Sequence, residues 1–279
     1  ALRYLVTTEI EQEYGASVAD LSLQSYDDDA PVRGDDVLIG EGMAAIAEAV
    51  ARGLDVQTGV AVERITRLAD GVEITSNLGT LEADYCICTV PLGVLKAGRI
   101  TFDPPLPSRQ RAALDRLHMG LLDKLYLRFE SRFWPADLDT QFLGRLAPES
   151  RWLELLNLHP TTGQPTLVGF NAGREAEALT DWTDAALIDA ALDALAEIFG
   201  VPVPRPIATA RTRWHADPWA LGSYSSLGVG ATPADRQALA EPAHDRLLLA
   251  GEHTHPTYPS TVHGAWLSGL RAAGQIQAL

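Results

Sequence analysis

The sequence predicts a mixed α/β chain (α+β in its mixing of sheet and helix), and three observations carry that expectation. The first is the tail from Arg246 to Leu279. There the apolar run Leu247 to Ala250 reads as a buried strand, Gly251-Glu252 ends it, and a helix opens near Ser260. The second lies between Val60 and Val90, where short strand-like runs are separated by Asp70-Gly71 and Asn77-Leu78-Gly79, the turn chemistry of a hairpin or meander. The third is Asp181 to Phe199, a clean amphipathic helix with Thr183 or Asp184 near its start and Gly200-Val201-Pro202 after its end.

The other elements follow in order. The opening stretch reads as helical pieces, then Asp27-Asp28-Asp29 as a solvated turn ending at Pro31. From Asp36 the pattern sharpens: Val37-Leu38-Ile39 is expected as a strand, Gly40-Glu41-Gly42 as a turn, and Met43 to Arg52 as an alanine-rich helix. Strands are expected around Val56, over Val60 to Leu68, Val72 to Ser76 and Leu81 to Val90; Pro91 stops the last, and Leu92 to Leu95 forms one helical turn. Phe102 to Pro107 is a proline-rich, rigid crossing and the best internal boundary. Beyond it come a helix (Ser108 to His118) and strands at Lys124 to Phe129, Arg151 to Leu156 and Thr166 to Asn171. A strand near Ile207 to Trp214, a Gly/Ser-rich loop and a short helix from Pro233 precede the tail.

Composition sets bounds. With 279 residues, 46% hydrophobic and 21% charged, the chain has an ordinary globular content and no apolar run long enough to span a bilayer. The opening ALRYLVTTEIEQEYG lacks the apolar core of a signal peptide. Cys86 and Cys88 lie two apart on one face of an expected strand, poor geometry for a mutual bond, so a reduced, cytoplasmic chain is expected. A net charge of -15 argues against a nucleic-acid surface and is compatible with cationic substrates, though acidic proteins are often merely soluble. The histidines His253, His255 and His263 have no fourth ligand at a sensible spacing, so no metal is expected.

The tail helix carries Gly264, Gly269 and Gly274. Each costs roughly 1 kcal/mol relative to alanine, so close approach to another backbone or to a ligand is the expected compensation. GEHT followed by YPSTVHGAWLSGLRAA resembles the C-terminal flavin-binding signature of the flavin-dependent amine oxidases, a group including polyamine oxidases, monoamine oxidases and the lysine-specific histone demethylase. RWHADPWALGSYSS, DKLYLRFESRFW, CTVPLGVLKAGRITFDPPLP and LIGEGMAAIAEAVARGLDVQTGVAVERI extend the resemblance over nearly the whole chain.

That resemblance implies FAD as cofactor and the C-terminal part of a two-lobed fold. Residues 36–97 and 207–279 would belong to a flavin-binding lobe, 98–206 to a substrate lobe of a sheet flanked by helices, and 1–35 to a substrate-lobe segment. The family's G-x-G-x-x-G turn, which cradles the pyrophosphate, is absent: Gly40-Glu41-Gly42 and Gly228-Val229-Gly230 are the nearest approximations. The expectation is therefore a fragment or one subunit, completed by an N-terminal partner chain that carries the fingerprint.

Site residues come by the same resemblance, each beside a plainer alternative. Ser260, Thr261 and Val262 would face the flavin's pyrimidine edge with helix N–H groups, or form only a tightly packed helix start. Gly251-Glu252 would contact ribityl or ribose hydroxyls, or cap a loop. Lys124, one of only two lysines, would hold a water at the flavin and serve catalysis, or simply snorkel at a strand start. Trp214 and Trp219 would lie near the flavin, and Tyr224 would wall the amine site with its π-face, or all three belong to aromatic core. Thr261 stands where many amine oxidases have a second tyrosine. Thr89, Val90 and Pro91 would contact the dinucleotide and Val62 its adenine side, or be ordinary strand residues. The function implied is oxidation of an amine C–N bond to an imine with O2 as final acceptor and hydrogen peroxide as product; the competing reading is a non-catalytic module that works by binding a partner chain.

Overall fold

The structure, a computed structural model, describes residues 1–30, 34, 37–135, 138, 140–149 and 151–278. Pro31 and Asp36, where the acidic turn was expected to end and the next segment to begin, lie outside the described residues, as does Leu279. The chain opens in helical pieces: α1 (Leu2–Val6), a π-helical turn over Thr7–Glu11, and α2 (Gln12–Tyr14). Gly15 ends α2 at φ 61, and a Cβ there would stand 3.0 Å from the Tyr224 ring, so both its backbone freedom and its missing side chain are used.

α3 (Ala44–Ala51) forms within the expected span but buries none of its residues; Ile46 and Val50 are 36% and 47% exposed. Two expectations fail beside it. Neither Val37–Ile39 nor the surroundings of Val56 form a strand. Among the described residues no neighbouring strand takes up their amides, and apolar composition alone does not hold a lone extended segment. β1 (Val62–Arg67), β2 (Val72–Ser76) and β3 (Gly79–Ala83) make the expected meander, with Ser76 opposite Gly79 across the turn Asn77-Leu78. The single strand expected over Leu81 to Val90 divides instead. Its first part is the edge strand β3; its last is β4 (Cys86–Cys88), in another sheet. Beyond Ala83 the hydrogen bonding changes partner: Cys86 N donates to Arg246 O.

α4 (Leu92–Lys96) follows Pro91, and β5 (Thr101–Asp103) returns parallel to β1. Next is α5 (Ser108–Arg116), at whose end Lys96 Nζ donates to the carbonyls of Leu114 (2.6 Å) and Leu117 (2.7 Å), satisfying helix-end acceptors. β6 (Leu117–Met119), β7 (Leu122–Arg128), β8 (Phe142–Gly144), β9 (Glu154–Asn157), α6 (His159–Thr162) and β10 (Thr166–Ala172) succeed it. Then come α7 (Gly173–Leu179), α8 (Asp184–Phe199) and β11 (Ala208–Arg211). Five of these strands form one sheet in the order β11-β7-β10-β9-β8. β8 and α7 have no counterpart in the sequence reading, being too short to show a period.

α8 matches its expectation closely. Thr183 caps it by accepting from Ala186 N, and Gly200 closes it at φ 65. Its Leu187, Ala191 and Leu195 pack on Leu125, Leu127, Leu155 and Leu167 of the sheet. β12 (Ser225–Leu227) pairs with β6, inside the segment expected as an irregular loop. A serine run carries no strand signature; pairing and side-chain hydrogen bonds decide it. α9 (Pro233–Ala240), β13 (Leu247–Leu249, parallel to β4) and α10 (Val262–Gln277) complete the chain. A second core gathers Ile65, Leu92, Leu117, Leu239 and Leu249 from all along the sequence.

The tail helix meets the expectation of close backbone approach at one glycine. A Cβ on Gly264 would collide with Tyr258 O, but Gly269 and Gly274 face nothing within 4 Å. α10 buries Gly264, Ser268 and Ala272 and turns Val262, Trp266 and Leu270 outward, 51%, 52% and 53% exposed. Only one of its three glycines is explained by close approach among the described residues.

Candidate functional site

β13 runs into Gly251 (φ 135) and a single 3-10 turn, Glu252–Thr254, before the proline-bearing loop to α10. The Glu252 carboxylate is engaged by the protein itself. It accepts from Ser225 N (3.1 Å), Ser225 Oγ (2.7 Å) and Ser260 N (2.7 Å), while Ser260 Oγ donates to Ser225 O (2.5 Å). These bonds hold Ser260 at φ 62, a left-handed conformation unusual for serine. Thr261 is the N-cap, its Oγ1 accepting from Gly264 N (3.0 Å) and donating to Tyr258 O (2.9 Å). The N–H groups of Val262 and His263, first in the helix, have no intrahelical acceptor. They and the helix dipole make this end suited to a polar or anionic group.

Lys124 and the tryptophans are joined by a second network. Asp123 Oδ1 accepts from Trp214 N (3.1 Å) and Thr212 Oγ1 (2.7 Å), and Thr212 Oγ1 accepts from Lys124 N (2.8 Å). Gly222 N donates to Trp214 O (3.0 Å), closing the loop that holds Trp219. Trp219 and Trp214 are 68% and 39% exposed, large aromatic faces without full cover. Thr89-Val90-Pro91 leads into α4, whose Gly93 lies against this loop; a Cβ there would stand 2.5 Å from Ala220 O. Ala250 N donates to Cys88 O (3.0 Å), so the strand ends before Thr89 and Gly251 are neighbours.

The fold brings four of the expected residues to cavity walls, in two separate places. Tyr224, Ser260 and Thr261 line one cavity of about 260 Å3, whereas Lys124 lines a cleft of about 30 Å3 with Trp152, Asn171 and Thr212. Its Nζ stands 6.0 Å from the Phe170 ring centroid. Val62 lies apart from both, in an open groove with Ile74, Ser76 and Leu81 on the β1–β3 meander.

The cavity at Tyr224 also holds residues the sequence did not mark as a site: Glu13, Tyr14, Tyr26, Asp28, Asp29 and Arg236. Asp28 and Asp29 are exposed, as a solvated turn requires, yet they stand at its wall. Tyr14 and Tyr26 meet edge to face with centroids 5.5 Å apart. Tyr224 OH donates to Gln12 O (2.5 Å), and burial raises its phenol further above the ordinary range. Tyr14 is raised by burial and then by Asp29 and Glu13. Burial lowers Arg236 to about 10 and His253 to about 4, so His253 is neutral near pH 7. Nothing local marks Arg236 as buried. The acidic run was visible in the sequence, but not the cavity it borders.

A family model described as flavin containing amine oxidoreductase matches residues 16–277. The chain is 39% identical over 276 residues to Lysine-specific histone demethylase 1 homolog 2 of Arabidopsis thaliana, covering 96% of this chain and 37% of that protein. It is 36% identical over 270 residues to Polyamine oxidase 4 of Oryza sativa subsp. japonica, covering 96% and 54%. Among solved structures, wild-type putrescine oxidase bound to putrescine superposes with a TM-score of 0.74 at 25% identity, over 86% of this chain and 53% of that one. The chain therefore spans little more than half of these relatives, or less. It belongs to the family of flavin-containing amine oxidoreductases.

Proposed function

We propose that this chain forms the amine-facing part of an FAD-dependent, polyamine oxidase-like enzyme, completed by an N-terminal segment or partner chain bearing the dinucleotide fingerprint. FAD is the cofactor that family membership implies. The observation that carries the reading is the cavity at the start of α10, walled by Tyr14, Tyr26 and Tyr224 and bordered by Glu13, Asp28 and Asp29. Carboxylates draw in a cationic amine, and tyrosine faces favour it over neutral solutes.

The residues fit a flavin. The N–H groups of Val262 and His263, which lack an intrahelical acceptor, would complement negative charge on the pyrimidine edge, and exposed Trp214 and Trp219 offer flat apolar cover. Thr89-Val90-Pro91 and Gly251 would hold the dinucleotide side, and Val62 the adenine end. When bound, FAD supplies the two-electron acceptor for the amine C–N bond. The chain's own residues then have separate tasks. Tyr224 orients the amine, the carboxylates hold a distal ammonium, and Lys124 positions a water and keeps positive charge near the reacting centre.

A peptidyl methyl-lysine is the second reading, favoured by 39% identity to a protein named as a histone demethylase. The test is direct. The chain, alone and mixed with a fingerprint-bearing N-terminal segment, is assayed for flavin absorbance and for peroxide from spermidine or from a methyl-lysine peptide. A yellow complex active on spermidine supports the first reading, and one active only on the peptide selects the second. A chain colourless under every condition leaves the binding-module alternative standing.

A further inference from the structure

Arg236, on the first turn of α9, is 2% exposed. Among the described residues no carboxylate forms an ion pair with it, and its Nε has no acceptor. Its Nη1 donates to Ser225 Oγ (2.5 Å) and more weakly to His253 O (3.5 Å), and its Nη2 to Ser225 O (3.4 Å). Ser225 Oγ passes the contact on: it donates to Glu252 Oε2, the same oxygen that accepts Ser260 N. The guanidinium therefore reaches the carboxylate through one hydroxyl, and that carboxylate holds the left-handed turn at Ser260. Burying a guanidinium without a direct counter-ion is unfavourable, and an apolar residue of similar size would serve stability better. The arrangement has a geometric product, the fixed entry of α10.

We infer that Arg236 is a positioning residue for the flavin-facing start of α10. Through Ser225 it balances the charge of Glu252 and fixes the Ser260-Thr261 turn, which sets the direction of the first helix N–H groups. Removing its charge would leave the Glu252 carboxylate, which accepts Ser260 N, without a compensating cation beside the helix start, so added negative charge there would be stabilised less. The inference rests on the flavin reading proposed above. Partners one step behind a metal ligand change affinity by about 10–100-fold when lost, and an effect of that order is expected at this turn.

The test compares wild type, Arg236→Met, Arg236→Lys and Ser225→Ala, each as the full chain combined with the fingerprint-bearing N-terminal segment. It reads the flavin dissociation constant, the two-electron reduction potential, and hydrogen exchange over residues 257–264 in the flavin-free protein, with α8 as internal reference. Arg236→Met is expected to weaken flavin binding at least tenfold. It should also lower the potential by about 30 mV for each tenfold bias against the reduced form, and speed exchange at 260–263 while α8 is unchanged. Arg236→Lys should recover the potential but not the exchange protection; Ser225→Ala should lose the protection. Wild-type affinity, potential and local exchange in Arg236→Met would overturn the inference, as would a uniform loss of protection including α8. Should Arg236→Met not fold, wild-type values in both other variants overturn it equally. If the wild type binds no flavin even when combined with that segment, the flavin reading fails, while the exchange comparison still decides whether Arg236 holds the turn.

Discussion

Lys124 and His253 show how differently two basic residues are used. Lys124 is half-buried on β7, its backbone N–H tied to Thr212 and its amine beside Phe170, and among the described residues no carboxylate pairs with it. Lys124→Met in a competent holoenzyme should reduce turnover on the order of 10²-fold while flavin affinity stays near wild type. An unchanged kcat removes Lys124 from the site. His253 is buried at 1% exposure and driven by burial to about 4, with Arg236 and Arg271 acting in the same direction and Glu252 opposing. Its folded value lies below the ordinary 6.5 of an unfolded chain, so the unfolded state binds the extra proton first. Stability is therefore full above about pH 6.5 and declines as pH falls toward 4, by up to about 3 kcal/mol. Melting temperatures across that window should fall in the wild type and fall less in His253→Gln; parallel curves would show that another group governs the decline.

At the scale of elements, α8 and α10 are both sixteen-residue helices with side-chain N-caps, yet they face opposite situations. α8 lays its leucines into the five-stranded sheet, whereas α10 buries small residues on Leu248 and Ala250 and leaves Val262, Trp266 and Leu270 in the open. The proposed N-terminal partner gives that apolar face a use. Trp266→Glu should then alter the stability of the isolated chain by no more than about 0.5 kcal/mol, while weakening flavin uptake in the mixture with the partner. Wild-type uptake would show that this face is not where the partner docks. The two long helices and the meander were legible in the sequence because each rests on local signals: caps, a 3.6-residue period and a two-residue turn. Val37–Ile39, Leu81–Val90 and Ser225–Leu227 were not, because strand membership is set by the neighbour that takes up the amides.

For the whole molecule, a net charge of -15 and carboxylates at the cavity wall act in the same direction on a cationic amine. If the amine is multiply charged, kcat/KM should fall several-fold between low and physiological ionic strength while kcat changes little, because screening beyond roughly 8–10 Å weakens long-range steering. A salt-independent kcat/KM would confine recognition to short-range contacts. The site is assembled across the whole chain: Tyr14 and Asp29 from the opening, Lys124 from the middle, and Tyr224, Arg236 and Ser260 from the last quarter. By itself the sequence determined the family, the strand–glycine–helix tail and the individual residues that resemble a flavin site, since motifs and caps are properties of neighbouring residues. Only the tertiary structure decided that Glu252 is held by Ser225 and Ser260, that Lys124 and Tyr224 open onto different cavities, and that a buried arginine stands behind the turn. The Glu252 and Arg236 contacts join residues 8, 11 and 27 positions apart across intervening turns and elements, and no local pattern records which side chain will arrive.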